Sequence, residues 1–311
     1  MSLTSSISHY IKEIGRGKDG ARSLTREQAS DLFGLVLDGA VSDLEIGAFC
    51  LSMRIKGETR DELMGFIDAA EARISPEATP HKASLRPVVV IPSYNGARKL
   101  PVLVPLLAAL LARESCDVLV HGIESKSGAA INNSASAAHR VTSAEVFALL
   151  DLPSSVQFVP IAKLSPALKK LLDVRKVVGL RNSAHSVVKL INPYRALADV
   201  RSALVTSYTH PEYALSMNET LAGLGATALL LRGTEGEAVA DPRRTPVMTG
   251  LARGQAVTLQ EMQHGSLDSL PALPATTEAA LTARYIQSVL AGEQSVPAPI
   301  ALQVQHILKL L

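Results

Sequence analysis

Hydrophobic positions along the chain alternate between short β-branched runs and longer apolar stretches, which predicts strands followed by helices. The clearest unit begins at residues 88–91, four β-branched residues in a row that predict a buried parallel strand. A polar turn over residues 92–99 follows, and from about Pro105 the apolar stretch is long enough for a buried helix with proline in its first turn. This order of strand, loop and helix places a ligand at the carboxyl end of the strand.

The same alternation continues to the end of the chain. It predicts further strands over residues 117–122, 156–161, 203–208 and 226–231. It predicts helices over residues 140–150, after the Ser165-Pro166 pair, over 179–193, from 212 to about 223, and over 278–291 and 298–310. Residues 124–139 are rich in Ser, Ala, Asn and Gly, which predicts a loop.

The first 74 residues carry helix-start signals instead of strand patterns. A Ser or Thr followed three residues later by Glu or Gln is a capping box, and it occurs at Thr25, Ser42 and Thr59. These boxes predict helices over about 26–38, 43–56 and 60–73, after one near 7–14. The fold class is therefore α/β, with a small N-terminal helical domain and a larger domain whose mainly parallel sheet is flanked by helices. We predict a helical domain over 1–74, joined by helices from about 162–195, and an α/β domain over 75–161 and 196–311.

Composition indicates where the protein is located and what its cysteines do. No window reaches the roughly 18 apolar residues of a membrane span, and the N-terminus lacks the pattern of a signal peptide, so we expect a cytoplasmic protein with no membrane partner. Cys50 and Cys116 are lone thiols in apolar surroundings, which indicates structural cysteines; neither has metal-ligand spacing.

Charge is unevenly distributed along the chain. Residues 86–201 hold 15 basic and 7 acidic residues, a local net charge of +8, and the remainder sums to −6 because the whole chain carries +2. Such an asymmetry is typical of a basic face that binds phosphates. Scattered solvated lysines would produce the same count.

Several segments, in the same order along the chain, resemble the anthranilate phosphoribosyltransferase superfamily, which includes pyrimidine nucleoside phosphorylases. Residues 38–63 resemble its N-terminal helical domain. His121-Gly122 and Ser143-Ala144-Glu145 resemble its Lys-His-Gly-Asn and Ser-Ala-Asp motifs, and residues 180–193 and 209–225 resemble its Arg-Thr…Asn-Pro and His-Pro-Glu blocks. The resemblance implies the fold described above, a homodimer through the N-terminal helices and a positively charged groove.

The catalytic motifs of that superfamily are altered. Where the synthase has Gly-Thr-Gly-Gly-Asp for phosphoribosyl pyrophosphate, this chain has Pro92-Ser-Tyr-Asn-Gly, and the loss of glycines predicts that backbone amides no longer approach an anion closely. Ile123 replaces the Asn that follows His-Gly. The Asp-Glu pair that binds magnesium should fall near residues 233–237, where only separated carboxylates remain. Arg181 matches the superfamily's substrate-carboxylate arginine.

These losses resemble a side branch of the superfamily, the YbiB-type proteins, which shares the fold but binds nucleic acid. The sequence therefore predicts a protein that binds DNA or RNA phosphates largely without sequence specificity, with no cofactor. The alternative is a glycosyltransferase or phosphoribosyltransferase acting on phosphoribosyl pyrophosphate, which would need magnesium. Binding of an unrelated small anion for regulation is a third possibility.

Candidate residues follow from these two readings. The predicted phosphate-binding cations are Arg98, Lys99, Arg140, Lys169, Lys170, Lys176, Arg181, Lys189 and Arg195. The predicted cleft residues, by their position in the superfamily, are Ser93, Tyr94, Asn95, Gly96, His121, Gly122 and Ser143.

Each candidate also has a structural explanation. The loop and helix cations could be solvated surface charge, and Tyr94 could cap a crevice instead of stacking on a base. Two of the histidines, His121 and His185, are expected to be packed and hydrogen-bonded, with no metal-ligand partner. The cap of the helix over 140–150 is predicted to be Thr142 or Ser143, and a cap is the simplest role for Ser143. Arg140 is predicted to begin a helix, where a cation opposes the helix dipole and so should contact an anion.

Overall fold

The computed structural model describes residues 6–17, 19–81, 84–124, 140–267 and 270–311. The loop predicted over 124–139 lies, apart from Glu124, outside these residues. The described chain divides into two compact units, residues 1–78 with 161–191 and residues 79–160 with 192–311.

The first unit is helical, and its N-terminal helices begin where the capping boxes predict. Its helices are α1 (Ser8–Ile14), α2 (Arg26–Leu37), α3 (Asp43–Lys56) and α4 (Arg60–Glu71), with α7 (Ile161–Leu164), α8 (Pro166–Val178) and α9 (Ala184–Val187) from the later segment. In α2, α3 and α4 both hydrogen bonds of the capping box form. A cluster of Phe33, Phe49 and Phe66 fills the interior, with ring centroids 4.7–6.1 Å apart.

The second unit holds one seven-stranded sheet. Its strands are β1 (Val88–Ser93), β2 (Asp117–Gly122), β3 (Val156–Pro160), β4 (Ser202–Tyr208), β5 (Ala228–Arg232), β6 (Met248–Ala252) and β7 (Gln255–Gln260). The order across the sheet is β3-β2-β1-β4-β5-β6-β7. The first five strands are parallel to one another, whereas β6 and β7 form an antiparallel hairpin at one edge.

Helices complete the second unit. They are α5 (Val104–Arg113), α6 (Ser143–Phe147), α10 (Glu212–Gly223), α11 (Ala279–Leu290) and α12 (Ala298–Leu310). All six residues of β1 and of β2 are buried, as a continuous β-branched run predicts for a central parallel strand. Their side chains share one core with α5, α11 and α12. The prediction of an α/β fold with a mainly parallel sheet is therefore confirmed.

One predicted helix is wrong, and one pair of strands is missing from the prediction. Residues 179–193, predicted as one helix, form only the single turn α9, because the Asn182 side chain bonds the carbonyl of Leu171 and the amide of Ala184 in place of helical bonds. The β6–β7 hairpin was not predicted at all. Its two-residue turn, Arg253-Gly254, has positive φ at both residues, which is the conformation that joins twisted antiparallel strands.

Both cysteines, Cys50 and Cys116, are buried free thiols, in agreement with the sequence. No helix within the described ranges is long and apolar enough to cross a membrane.

Candidate anion-binding site

The carboxyl end of β1 is the position where this sheet topology accepts a ligand. Strand β1 lies between β2 and β4, so the chain moves to one side of β1 to form β2 and β3 and returns to the other side to form β4. In open α/β sheets a ligand binds in the crevice at such a reversal, beyond the carboxyl ends of the strands. Residues that follow β1 and β2 are therefore the first candidates for a site.

The parallel register brings the predicted cleft residues of these two strands together. Pro92 lies opposite His121, and Ser93 lies opposite Gly122. A hydrogen bond of 2.7 Å joins Tyr94 Oη to His121 Nδ1. A side chain at Gly122 is excluded, because its Cβ would lie 2.1 Å from the carbonyl oxygen of Ser93.

Ser143 joins this group in a role that differs from the prediction. Helix α6 is capped by Thr142, whose side chain accepts a bond from the Glu145 amide, so Ser143 is the first helical residue and not the cap. The Ser143 hydroxyl instead lies 2.7 Å from the hydroxyl of Ser93, and both residues are buried.

The loop after β1 directs its backbone amides at two carboxylates of the same unit. We call residues 95–100 the anion loop. The amides of Asn95 and Gly96 each donate to Glu237 Oε1 at 2.7 Å. The amide of Arg98 donates to Glu235 Oε2 at 2.6 Å, and that of Lys99 lies 3.1 Å from both oxygens of Glu235. Four amides in a short loop therefore bind negatively charged oxygen.

This arrangement corrects the prediction that a loop poor in glycine cannot approach an anion. One glycine is enough here: Gly96 has φ +69°, and a Cβ at that position would lie 2.9 Å from the carbonyl oxygen of Val141. The neighbouring loop residues need no positive φ, since the non-glycine residues with positive φ in the described chain are His81, Ser115, Glu235 and Arg253.

The two carboxylates come from a tight turn that sequence reasoning did not find. We call residues 234–237 the carboxylate turn. The Glu237 amide donates to the carbonyl of Thr234 at 2.9 Å, and Glu235 and Gly236 have φ of +54° and +88°. These are the features of a turn with two left-handed central residues. The Glu-Gly pair after a strand was the sequence signal for it.

Neighbouring side chains anchor the carboxylate turn on its other sides. Ser207 Oγ, from the end of β4, donates to the carbonyl of Gly236 at 3.0 Å. The buried side-chain amide of Gln303 in α12 makes two bonds to the residues after the turn. Its Nε2 donates to the carbonyl of Ala238 at 3.0 Å, and its Oε1 accepts from the backbone amide of Ala240 at 2.8 Å. Gly236 lies so near the anion loop that a Cβ there would be 1.9 Å from Asn95 Nδ2.

Glu237 also acts on Tyr94. Burial raises the pKa of Tyr94 well above its ordinary value, and the negative charge of Glu237 raises it further. The phenol therefore stays protonated at neutral pH. Tyr94 is half-buried, with its hydroxyl engaged by His121.

The predicted cations lie in both units. In the second unit, Arg98 and Lys99 are exposed on the anion loop. Arg140 lies outside helix α6, two residues before its cap. The Arg140 guanidinium is 3.4 Å from the carbonyl oxygen of Asn95. Arg140 therefore does not begin a helix as predicted. Arg195 is half-buried in the same unit.

In the first unit, the lysines of α8 differ in their surroundings. Lys169 and Lys176 both pair with Asp173, Lys176 at 2.8 Å, whereas Lys170 is exposed. Around α9, burial and the charges of Arg181, Arg175 and Lys189 lower the pKa of His185 to about 4. These three cations therefore form a positive cluster within the helical unit. A single basic cleft that includes all the predicted cations stays a prediction.

The carboxylates do not fit a magnesium site of the kind that the superfamily uses. Within the described part of the chain, no group of three or more His, Cys, Asp or Glu side chains could hold a metal ion. Glu235 and Glu237, which stand where the metal-binding pair was expected, are turned towards the amides of the anion loop.

Two surface cavities are lined by other residues. The larger, about 640 Å³, lies along α2 and α4, where Arg26 pairs with Asp68 and Arg73 with Asp38, each at 2.6 Å. The other, about 450 Å³, includes His81 and Asp117 at the amino end of β2. Both arginines of the larger cavity are held in these ion pairs, and its other charged residues, Glu27 and Asp31, are acidic, so the anion loop remains the candidate anion site.

Comparison with known proteins agrees with this fold. Residues 8–73 match the family described as glycosyl transferase family, helical bundle domain. The chain is 37% identical over 298 residues to the uncharacterized protein YbiB of Escherichia coli, an alignment that covers 94% of this chain and 91% of YbiB. It is 26% identical to an anthranilate phosphoribosyltransferase of Rhizobium meliloti, over 69% of this chain and 62% of that enzyme's length.

Solved structures show the same architecture. Anthranilate phosphoribosyltransferase from Thermus thermophilus superposes with a TM-score of 0.68 at 21% identity, covering 97% of this chain and 87% of that one. The Saccharomyces cerevisiae enzyme in complex with PRPP and Mg superposes with a TM-score of 0.67 at 12% identity, covering 99% and 89%. The chain belongs to the anthranilate phosphoribosyltransferase-like superfamily of glycosyl transferase folds. Within that superfamily it belongs to the YbiB-like branch.

Proposed function

We propose that the chain binds a phosphorylated ligand of the phosphoribosyl pyrophosphate type at the anion loop, as a glycosyltransferase or phosphoribosyltransferase does. The observation that carries the proposal is the convergence of four loop amides, those of Asn95, Gly96, Arg98 and Lys99, on carboxylate oxygens at 2.6–3.1 Å. Backbone amides that donate to carboxylate oxygens can donate to phosphate oxygens in the same way.

The position of the loop supports the same proposal. It follows β1 at the point where the sheet reverses direction, and it stands where the superfamily has its pyrophosphate motif. The similarity to anthranilate phosphoribosyltransferases supports a transferase-type ligand better than it supports nucleic acid. Ile123 in place of an amine-orienting Asn argues that the acceptor is not anthranilate itself.

A second candidate function is binding of DNA or RNA through phosphates. Two observations favour it: the exposed side chains of Arg98 and Lys99 on the anion loop, and the positive cluster of Arg175, Arg181 and Lys189 around His185. Binding of this kind weakens steeply with salt, because each neutralised phosphate releases counterions.

We also propose that the protein is a homodimer through α3. The side chains of Leu44, Leu51 and Ile55 are 84%, 46% and 53% exposed. Spacings of seven and four residues place them on one face of the helix, and such an apolar stripe is typical of a contact surface between subunits.

One binding experiment tests both functions. Calorimetry with phosphoribosyl pyrophosphate, and fluorescence titration with single-stranded DNA at three salt concentrations, would be run on the wild type and on the double variant Arg98→Ala, Lys99→Ala. The matched control is Arg284→Ala, Lys309→Ala, two exposed cations elsewhere in the same unit. We expect saturable phosphoribosyl pyrophosphate binding that the control leaves unchanged.

The outcomes separate the two candidates. If phosphoribosyl pyrophosphate does not bind while DNA binds with a salt slope that falls by about one per lost cation contact, nucleic-acid binding replaces the transferase proposal. If the control double variant loses as much DNA affinity as Arg98→Ala, Lys99→Ala, diffuse surface charge and not the anion loop is responsible.

A further inference from the structure

The amides of the anion loop are not open to a ligand in this conformation, because the chain's own carboxylates occupy them. We infer that Glu235 and Glu237 are internal ligands that keep the anion site closed, and that an incoming anion must displace them. This inference rests on the proposed function, since it concerns the same loop. Glu235 and Glu237 would then set the affinity of the site for anions, and only an anion that can displace them would bind.

The loop amides cannot bind the two carboxylates and a phosphate at the same time, because all three groups are negatively charged. Glu237 Oε1 accepts the amides of Asn95 and Gly96, and the Glu235 carboxylate accepts those of Arg98 and Lys99. A phosphate that took these amides would meet both carboxylates at contact distance, and like charges in a partly buried site repel strongly. The carboxylates must therefore leave before a phosphate can bind.

The closed state carries costs that favour its release by a suitable ligand. Glu237 is only 2% exposed, and its second oxygen, Oε2, is buried with no hydrogen-bond partner in the described structure. A buried carboxylate oxygen without a donor is unfavourable. Glu235 holds a left-handed φ of +54°, a conformation that is unfavourable for a non-glycine residue.

Gly236 allows the closed state to form. Its φ is +88°, and any Cβ there would lie 1.9 Å from Asn95 Nδ2 and 3.0 Å from the Thr209 side chain. An alanine at this position would therefore push the carboxylate turn away from the anion loop. The structure thus offers two independent ways to open the site, one through charge and one through space.

The experiment uses inorganic pyrophosphate as the probe, in buffer with a chelator so that no divalent metal contributes. The full-length variants Glu237→Gln, Glu235→Gln and Gly236→Ala are compared with the wild type by calorimetry. The matched controls are Glu293→Gln, an exposed carboxylate outside the site, and Gly292→Ala, where φ is +81° but no atom lies within 4 Å of the added Cβ. Circular dichroism checks that each variant is folded.

We expect each site variant to bind pyrophosphate at least about tenfold more tightly than the wild type, because each removes charge-assisted hydrogen bonds that compete with the ligand. The controls should match the wild type. If Glu237→Gln does not fold, Glu235→Gln and Gly236→Ala carry the test, since Glu235 lies at the exposed end of the contact.

Three results would overturn the inference. Equal binding by the wild type and all site variants would leave the anion site in place but show that the carboxylates do not close it. Weaker binding by the variants would show that the carboxylates help to hold the ligand. If no folded variant binds pyrophosphate, the anion loop is not a phosphate site, and the proposed function fails together with the inference.

Discussion

His185 shows how one residue reports the charge around it. Burial and the cations Arg181, Arg175 and Lys189 lower its pKa to about 4, whereas an unperturbed histidine has a pKa of about 6.5. Below pH 6.5 the unfolded chain therefore takes up a proton that the folded chain does not. The free energy of unfolding should fall as the pH drops from about 6.5 to about 4.

A substitution isolates this contribution. Urea denaturation measures the free energy of unfolding of the wild type and of His185→Gln. Between pH 7 and pH 5 this free energy should fall by about 1 kcal/mol less in the variant, because the partial exposure of His185 weakens the effect. The comparison is needed because burial also lowers the pKa of His81 and His306, which contribute with the same sign. Parallel pH profiles would contradict the charge cluster around His185.

At the scale of elements, local signals decide where helices begin. Thr25, Ser42, Thr59 and Thr142 each cap a helix, and each pairs with a Gln or Glu three residues later. The box satisfies amide groups that the first turn of a helix leaves without intrahelical partners. Such signals need no long-range contacts, so the starts of α2, α3 and α4 could be predicted from the sequence.

The contribution of the Thr25 capping box to the free energy of unfolding can be measured. In α2 the Gln28 amide donates to Thr25 Oγ1 at 3.3 Å, and the Thr25 amide donates to Gln28 Oε1 at 3.0 Å. Thr25→Ala should lower the free energy of unfolding by about 1 kcal/mol, whereas Thr25→Ser should leave it nearly unchanged because serine keeps the hydroxyl and is at least as good an N-cap. Chemical denaturation measures both, and equal losses in the two variants would mean that the hydroxyl does not cap the helix.

At the scale of the whole molecule, the exposed stripe on α3 predicts association. Replacing Leu44 and Leu51 by Asp should convert a dimer to a monomer in sedimentation velocity, because two buried apolar contacts become charged. Helix content should not change, since both side chains are exposed within one subunit. A matched variant, Leu149→Asp, changes an exposed leucine in the other unit and should leave the mass unchanged. A monomeric wild type would refute the proposed dimer.

The sequence by itself determined most of the architecture. The β-branched runs gave β1 and β2, capping boxes gave α2 to α4, and the alternation of strands and helices gave a mainly parallel sheet. These signals are local or periodic, so each is complete within one segment. The sequence also directed attention to the loop after β1, because the strand–loop–helix order implies a ligand site there.

Only the tertiary structure decided the state of that loop. Glu235 and Glu237 are about 140 residues from the amides they bind, and no local pattern connects them to Asn95 or Gly96. The scarcity of glycine in the loop predicts that its backbone amides do not approach an anion, although Arg98 and Lys99 were expected to contact phosphate. In the folded chain the return of β4 beside β1 brings β5 and the carboxylate turn to the same edge of the sheet. Contacts between distant segments depend on which strands pair, and that pairing places Glu235 and Glu237 against the amides of the loop after β1.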